Sequence, residues 1–323
     1  MQCDIAGMTD PVLILGAGGF IGDHMLKGLA RQGFPVIAGL RRPRALPAGI
    51  EQRQVDALDA ASLAAALQGV GAVVNCIAAA PQEMVKATQV LAEAAGPRRI
   101  VHLSTMSVYG AATGVVVEDA PLRPEGDYGV SKLECETILR AHAERGGEVL
   151  MLRPGCVHGP GSEQWTARPA RLLRAGRLGD LGPAGDGICN LTFVEDLVAA
   201  AAAALRTPYA NGLAFNISDP SPGSWNAYFL KLGHAIGATP IKRLGGRRMK
   251  LEKLAAFPLK ALEILGRKAK LRTPDPIPPS LLRLFQQDIV LDHRLADAHL
   301  GFRRTPPSEA VAVAAEWAKG KLA

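Results

Sequence analysis

Aromatic residues are scarce in this chain: Phe, Trp and Tyr make up 5% of its 323 residues. Base stacking on single-stranded nucleic acid needs such rings interleaved with basic side chains, and no helix-turn-helix or RNA-binding signature offers another route. No nucleic-acid partner is expected. Cysteine is sparse too. Cys3, Cys76, Cys135, Cys156 and Cys189 are scattered, with no CxxC pair and no Cys/His spacing. That pattern excludes a zinc site and a disulfide framework, and leaves small buried hydrophobes as the reading. No apolar run reaches the ~20 residues that cross a bilayer; the Ala-rich stretch 199–205 is short and flanked by Asp196 and Arg206. The opening MQCDIAGMTD lacks the basic-then-apolar pattern of a secretory leader, so the expected location is cytoplasmic.

What is present is ordinary for a globular protein, with 48% hydrophobic and 21% charged residues in a length that can bury a substantial core. One compact unit or two interlocked ones are expected. The net charge of +7 is unevenly placed. Residues 240–272 hold eleven Lys/Arg against Glu252 and Glu263, a local +9 that leaves −2 on the rest.

Short β-branched runs alternate with longer Ala/Leu/Lys/Glu stretches through the first half. The pattern predicts strands at 11–15, 35–39, 72–76, 99–104 and 148–152, and helices near 20–32, 60–68, 81–95 and 128–145. Strands alternating with helices of this length imply right-handed βαβ units and an α/β fold, a Rossmann-type doubly wound parallel sheet. After Arg153-Pro154 the rhythm gives way to Gly/Pro-rich loops, then a strand and an Ala-rich helix over 191–205 and a further strand at 213–217. The expected division is a dinucleotide-binding domain over 1–155, with about 191–217 returning to it. A smaller, mainly helical substrate lobe takes 156–190 and 218–323.

The stretch GAGGFIG, residues 16–22, stands where the first strand turns into the first helix. Without β-carbons at Gly16, Gly19 and Gly22, backbone N–H groups and the helix start at Phe20 and Ile21 can approach a pyrophosphate. NAD sites place an acidic residue at the end of the second strand to hold the ribose 2′-hydroxyl. Here that position is Leu40, followed by Arg41 and Arg42. Guanidinium groups suit a 2′-phosphate, so NADP is expected in preference to NAD; a solvated basic turn that also includes Arg44 is the plainer alternative.

Farther on come IVHLSTMSVYG (100–110) and YGVSK (128–132). Tyr128 and Lys132 are four apart and share a helix face, where a cation near the phenol would lower its pKa and fit it for proton transfer. A hydroxyl at the end of the preceding strand, Thr105 or Ser104, can bond a substrate oxygen that changes between alcohol and carbonyl. An intact set of these groups argues against a non-catalytic dinucleotide sensor.

With these motifs, and with VDALD around Asp56, NCIAAA (75–80), LRPGCVHGPG (152–161) and LTFVEDLVAA (191–200), the chain resembles the extended short-chain dehydrogenase/reductases, the NAD(P)-dependent epimerase/dehydratase superfamily. The resemblance extends to the closing LGFRRTPPSEAVAVAAEW. It implies Thr105, Tyr128 and Lys132 as the catalytic set, with Lys132 also holding the nicotinamide ribose. Asp56 and Ala57 would flank the adenine, Ala78, Ala79 and Ala80 the pyrophosphate side, and Pro154 and Gly155 the nicotinamide. Ser104, Ser107 and Tyr109 are expected in the wall, and His102 and His158 as structural. No metal is implied. A homodimer through two helices on one sheet face is common in similar proteins.

Departures from the family pattern narrow the chemistry. Sugar-nucleotide dehydratases carry an Asp-Glu pair after the catalytic Thr, where this chain has Met106 and Ser107. Epimerases place an Asn and an Arg toward the substrate diphosphate, at positions that here are Cys156 and Cys189; Arg243, Arg247 and Arg248 are the remaining sources of charge. Thiols cannot replace a guanidinium against phosphate. Over 249–265, Leu251, Leu254, Ala255, Pro258, Leu259, Leu262 and Leu265 recur at helical spacing, with Lys250, Lys253 and Lys260 mostly elsewhere. An ordinary lobe helix is one reading; an apolar lid or a contact with an anionic membrane surface through 242–272 is the other. The expectation is an NADP(H)-dependent oxidoreductase acting on a small apolar carbonyl or alcohol, with a nucleotide-sugar epimerase as the alternative.

Overall fold

Seven parallel strands form the centre of the structure, a computed structural model that describes residues 10–208, 212–246, 251, 252, 254, 255, 257–259, 262 and 275–322. The strand runs are VLIL at β1 (Val12–Leu15), VIAGL at β2 (Val36–Leu40), EQRQ at β3 (Glu51–Gln54) and AVVN at β4 (Ala72–Asn75). β5 (Arg99–Leu103), β7 (Glu148–Pro154) and β10 (Leu213–Ile217) complete the sheet. A strand covered on both faces has no reason to alternate, which is why β1 reads as an unbroken apolar run and β4 as one that ends in Asn75. The exception is β3, a polar edge strand absent from the sequence expectation and held in place by its pairing with β2.

The spatial order is β10-β7-β5-β4-β1-β2-β3. From β1 the chain winds outward through β2 and β3, then returns to β4 on the other side of β1. The order reverses between β1 and β4, and their carboxyl ends open a crevice there.

Helices α1 (Phe20–Arg31) and α6 (Val194–Arg206) cover one face, burying Met25, Leu26, Leu29, Leu197 and Val198 against Val12, Ile14 and Phe215. Helices α2 (Ala60–Ala66), α3 (Pro81–Ala94) and α4 (Gly126–Glu144) cover the other, placing Leu63, Val90, Leu91 and Leu139 on Leu13, Val73 and Ile100. Two short parallel pairs lie outside the main sheet: β6 (Gly114–Val116) with β11 (Ile289–Leu291), and β8 (Cys156–His158) with β9 (Leu191–Phe193).

The few aromatic residues are concentrated in a second apolar cluster. Trp225 and Phe229 on α7 (Trp225–Ala235) meet Phe285 at ring-centroid distances of 4.8 and 5.2 Å, above Leu172 and Leu173 of α5 (Arg168–Arg174). Among the described residues, no helix is long and apolar enough to cross a membrane. Of the Lys/Leu-rich stretch, 251, 252, 254, 255, 257–259 and 262 are helical, whereas Arg247, Arg248, Lys250, Lys253, Lys260 and Leu265 lie outside the described residues.

Candidate active site

At the crevice, Gly16 adopts φ +77°, and a β-carbon there would lie 2.8 Å from the Cys76 carbonyl oxygen; one on Gly22 would lie 2.1 Å from that of Gly16. These glycines let the loop, β4 and α1 close on one another. Gly19 differs, because a β-carbon there would have only Gly16 O as a neighbour, at 3.5 Å, and it brings no side chain to cap α1. Asp23 is the first residue of α1 to bond back, to Gly19 O at 2.9 Å. The N–H groups of Phe20, Ile21 and Gly22 therefore have no intrahelical acceptor. An open cradle at a helix N-terminus fits a dinucleotide pyrophosphate.

Arg41 and Arg42 follow β2 directly and are exposed. Arg44 is closer to the glycine loop, donating to Ala17 O (3.0 Å) and to Asp23 Oδ1. Sequence alone offered no signal for that clamp beyond the local run of arginines. Ala78, Ala79 and Ala80 lead from β4 into α3 on the other side of the crevice. Beyond β3, Asp56 Oδ1 accepts from Leu58 N at 3.0 Å and Ala57 is half-buried.

Thr105 caps the short turn Met106–Tyr109, its hydroxyl accepting from Ser107 N (3.2 Å) and lying 3.2 Å from Ser107 Oγ. Tyr128 stands in the first turn of α4, 49% exposed. Burial around its hydroxyl raises the phenol above its ordinary value, and the Thr105 hydroxyl facing it draws it partly back. Lys132, one turn on, is buried and donates from Nζ to Leu103 O at 2.8 Å; burial lowers its pKa. The expected lowering of the phenol is therefore not the net direction at Tyr128: burial dominates there, and the Lys132 ammonium is turned to Leu103 O at the strand end. Burial pushes the Cys76 thiol up to about 12, against the pull of the Lys132 ammonium.

Beneath these residues lies a network that sequence reading missed. Arg153 donates from Nε and Nη2 to Glu136 (2.8 and 2.7 Å), Ser104 Oγ donates to Glu136 Oε1 (2.5 Å), and Arg153 Nη1 reaches Tyr109 OH at 2.7 Å. Burial pushes the Glu136 carboxyl up, but the Arg153 guanidinium outweighs it and holds the group below its usual range. Ser104 and Tyr109 are thereby committed to the wall.

On the far side, Pro154 is buried, and Gly155 N donates to Thr192 Oγ1 at 3.0 Å. Cys156 and Cys189 are buried, and burial raises both thiols, which stay protonated. Arg243 leans toward Asp180 at 3.7 Å. His102 is buried, its Nδ1 3.1 Å from Asn75 Nδ2.

His158 packs on Phe193 and Tyr228 (ring centroids 5.5 and 6.1 Å), and burial lowers its pKa from 6.5 to about 4. The folded protein therefore binds fewer protons at this ring than the unfolded chain between those values. Its contribution is complete above pH 6.5 and is lost as pH falls toward 4, a total of about 3 kcal/mol. His158→Phe should flatten the fall in Tm across that window. Parallel Tm curves for both proteins in thermal unfolding would show that His158 does not titrate there.

A family model described as NAD dependent epimerase/dehydratase family matches residues 12–218. The chain is 27% identical over 241 residues to 2'-dehydrokanamycin reductase of Streptomyces kanamyceticus, a match spanning 70% of this chain and 66% of that protein, just under two thirds of its length. It is 28% identical over 246 residues to 2-alkyl-3-oxoalkanoate reductase of Stenotrophomonas maltophilia (strain K279a), spanning 70% and 71%. Among solved structures, MoeE5 in complex with UDP-glucose and NAD superposes with a TM-score of 0.71 at 27% identity, covering 97% of this chain and 100% of that one. The family match starts on the first residue of β1, takes in the glycine loop, Thr105, Tyr128, Lys132 and Gly155, and stops one residue past β10; the chain belongs to the NAD dependent epimerase/dehydratase family.

Proposed function

We propose that the protein is an NADP(H)-dependent oxidoreductase that interconverts a carbonyl and a secondary alcohol on a small, apolar substrate. In this reading residues 1–155 and about 191–217 hold the dinucleotide, and 156–190 with 218–323 form the lobe that selects the substrate. It works in the cytoplasm, as a homodimer. The observation that carries the substrate class is the pair of buried, protonated thiols, Cys156 and Cys189, in place of groups that would hold a diphosphate. Leu191, Trp225 and Tyr228 belong to the same apolar cluster. The two reductases among the relatives support the direction of the chemistry.

When bound, the dinucleotide supplies or accepts a hydride at nicotinamide C4. The chain's own residues manage the oxygen. Thr105 donates a hydrogen bond to it, and Tyr128 delivers the proton as carbonyl becomes alcohol, or takes it back in reverse. The raised phenol keeps its proton at neutral pH, the form that reduction uses. Lys132, which also donates to Leu103 O, holds the nicotinamide ribose in this reading. Phe20, Ile21 and Gly22 take the pyrophosphate, Arg41 and Arg42 the 2′-phosphate.

The test is net cofactor consumption by the full-length protein offered apolar ketones, alkyl 3-oxoacids or UDP-glucose, with NADPH or NADH. Net NADPH oxidation with an apolar carbonyl is expected. Replacing Arg41 and Arg42 together by Ala should raise the KM for NADPH about tenfold or more and leave NADH unchanged, since a charge-assisted bond is worth about 1.5–3 kcal/mol. The likeness to MoeE5, crystallised with UDP-glucose, favours a second reading, a nucleotide-sugar epimerase that oxidises and re-reduces one sugar carbon. Thermal stabilisation by UDP or UDP-glucose without net NADPH consumption would establish that reading instead.

A further inference from the structure

Four large apolar side chains among the described helical residues between 251 and 262 stand in solvent: Leu251 (65% exposed), Leu254 (74%), Phe257 (78%) and Leu262 (46%). At about 100° per residue they fall within a single arc, with Glu252 off its edge. Glu252 is buried instead, its carboxylate taking Arg177 Nε and Nη2 at 3.0 and 2.5 Å, and Arg177 Nη1 continues to Asp275 O at 2.8 Å. This ion pair fastens one face of the stretch to the lobe and leaves the Leu/Phe face outward. Scattered exposed Leu residues are ordinary, but four in one arc are not.

The sequence around the arc decides between its occupants. Eleven Lys/Arg against two Glu lie within 240–272. A second copy seated on the same face would bring two segments of +9 together, which like-charge repulsion opposes. Nucleic acid would match the charge but has no use for three Leu and a Phe. A bilayer with anionic headgroups matches both, because apolar side chains enter the headgroup–acyl boundary while basic residues meet lipid phosphates.

We propose that the face bearing Leu251, Leu254, Phe257 and Leu262 docks on an anionic bilayer, with these four as the inserting side chains and the basic sequence 242–272 in which they stand as the source of charge. Docking is independent of the reaction at Tyr128 and of which substrate is turned over. The test is flotation of the full-length protein with vesicles of phosphatidylcholine alone or mixed with phosphatidylglycerol, at low and high salt. At least tenfold more protein is expected on the anionic vesicles, falling at high salt. Leu251→Ser/Leu254→Ser/Phe257→Ser should abolish binding, with Tm and the Kd for NADP unchanged as the check on folding. Lys253→Glu/Lys260→Glu should weaken it. Protein that stays off anionic vesicles overturns the proposal, as does binding that the triple Ser variant leaves intact. A concentration-dependent dimer that the triple variant dissolves would assign the face to a second copy and overturn it too.

Discussion

Tyr128→Phe is expected to lower turnover about a thousandfold while the KM for the dinucleotide and its thermal stabilisation of the protein change little. The substitution removes one oxygen and keeps the ring, so the packing at the start of α4 persists. What is lost is the proton that must reach the substrate oxygen as its carbon receives hydride, and a thousandfold loss is about 4 kcal/mol of barrier. Thr105 cannot substitute. Its hydroxyl is shared with Ser107 N and Ser107 Oγ at 3.2 Å, and an aliphatic hydroxyl is a far weaker acid than a phenol. Lys132 cannot either, since its Nζ is tied to Leu103 O at the end of β5 and its remaining donors are those assigned to the nicotinamide ribose. Steady-state rates with the substrate found in the cofactor-consumption assay provide the measurement. A variant keeping a tenth or more of the wild-type kcat would remove Tyr128 from proton transfer.

What sequence made legible here was local. Tyr128 and Lys132 sit four apart on one helix, and GAGGFIG joins a strand to a helix within seven residues. Such spacings survive as patterns because the backbone alone brings the groups together. The doubly wound sheet was legible for the same reason, its buried strands being apolar runs. β3 was not: EQRQ is polar on an edge, and only pairing with β2 makes it a strand. Arg44 closes on Ala17 from 27 residues away, and Arg153 meets Glu136 across 17 and Tyr109 across 44. In the sequence Glu136 looks like any solvated helix carboxylate. The charge of 240–272 was plain from composition, whereas the outward turn of Leu254 and Phe257 depends on Glu252 reaching inward to Arg177.

Glu136→Ala or Arg153→Ala is expected to cost about 3–5 kcal/mol of stability, because the first leaves the buried Arg153 guanidinium with no counter-charge and the second leaves Glu136 with Arg140 alone, at 2.8 Å on Oε2. Both side chains are fully buried, so water cannot fill the role. The loss would spread. Arg153 also holds Tyr109 OH and Glu118 O (2.7 and 2.9 Å), and Tyr109 OH donates to Asn216 Oδ1 at 2.7 Å, joining α4, β7, β10 and the turn that presents Thr105. For a chain of this length the drop in Tm should be on the order of 10 °C. Replacing both by Met removes two charges together and should cost less than either single change, the sign expected when desolvation of an ion pair offsets most of its attraction. Acid gives an independent check. Glu136 titrates below its ordinary range in the folded protein, so its contribution is complete above pH 4.5 and is lost as pH falls through the lower folded value. Thermal melts of the two singles and the double, run at neutral pH and below pH 4.5, measure all of this. Single variants as stable as the wild type would show that the buried pair does not hold α4 in place beneath Tyr128 and Lys132.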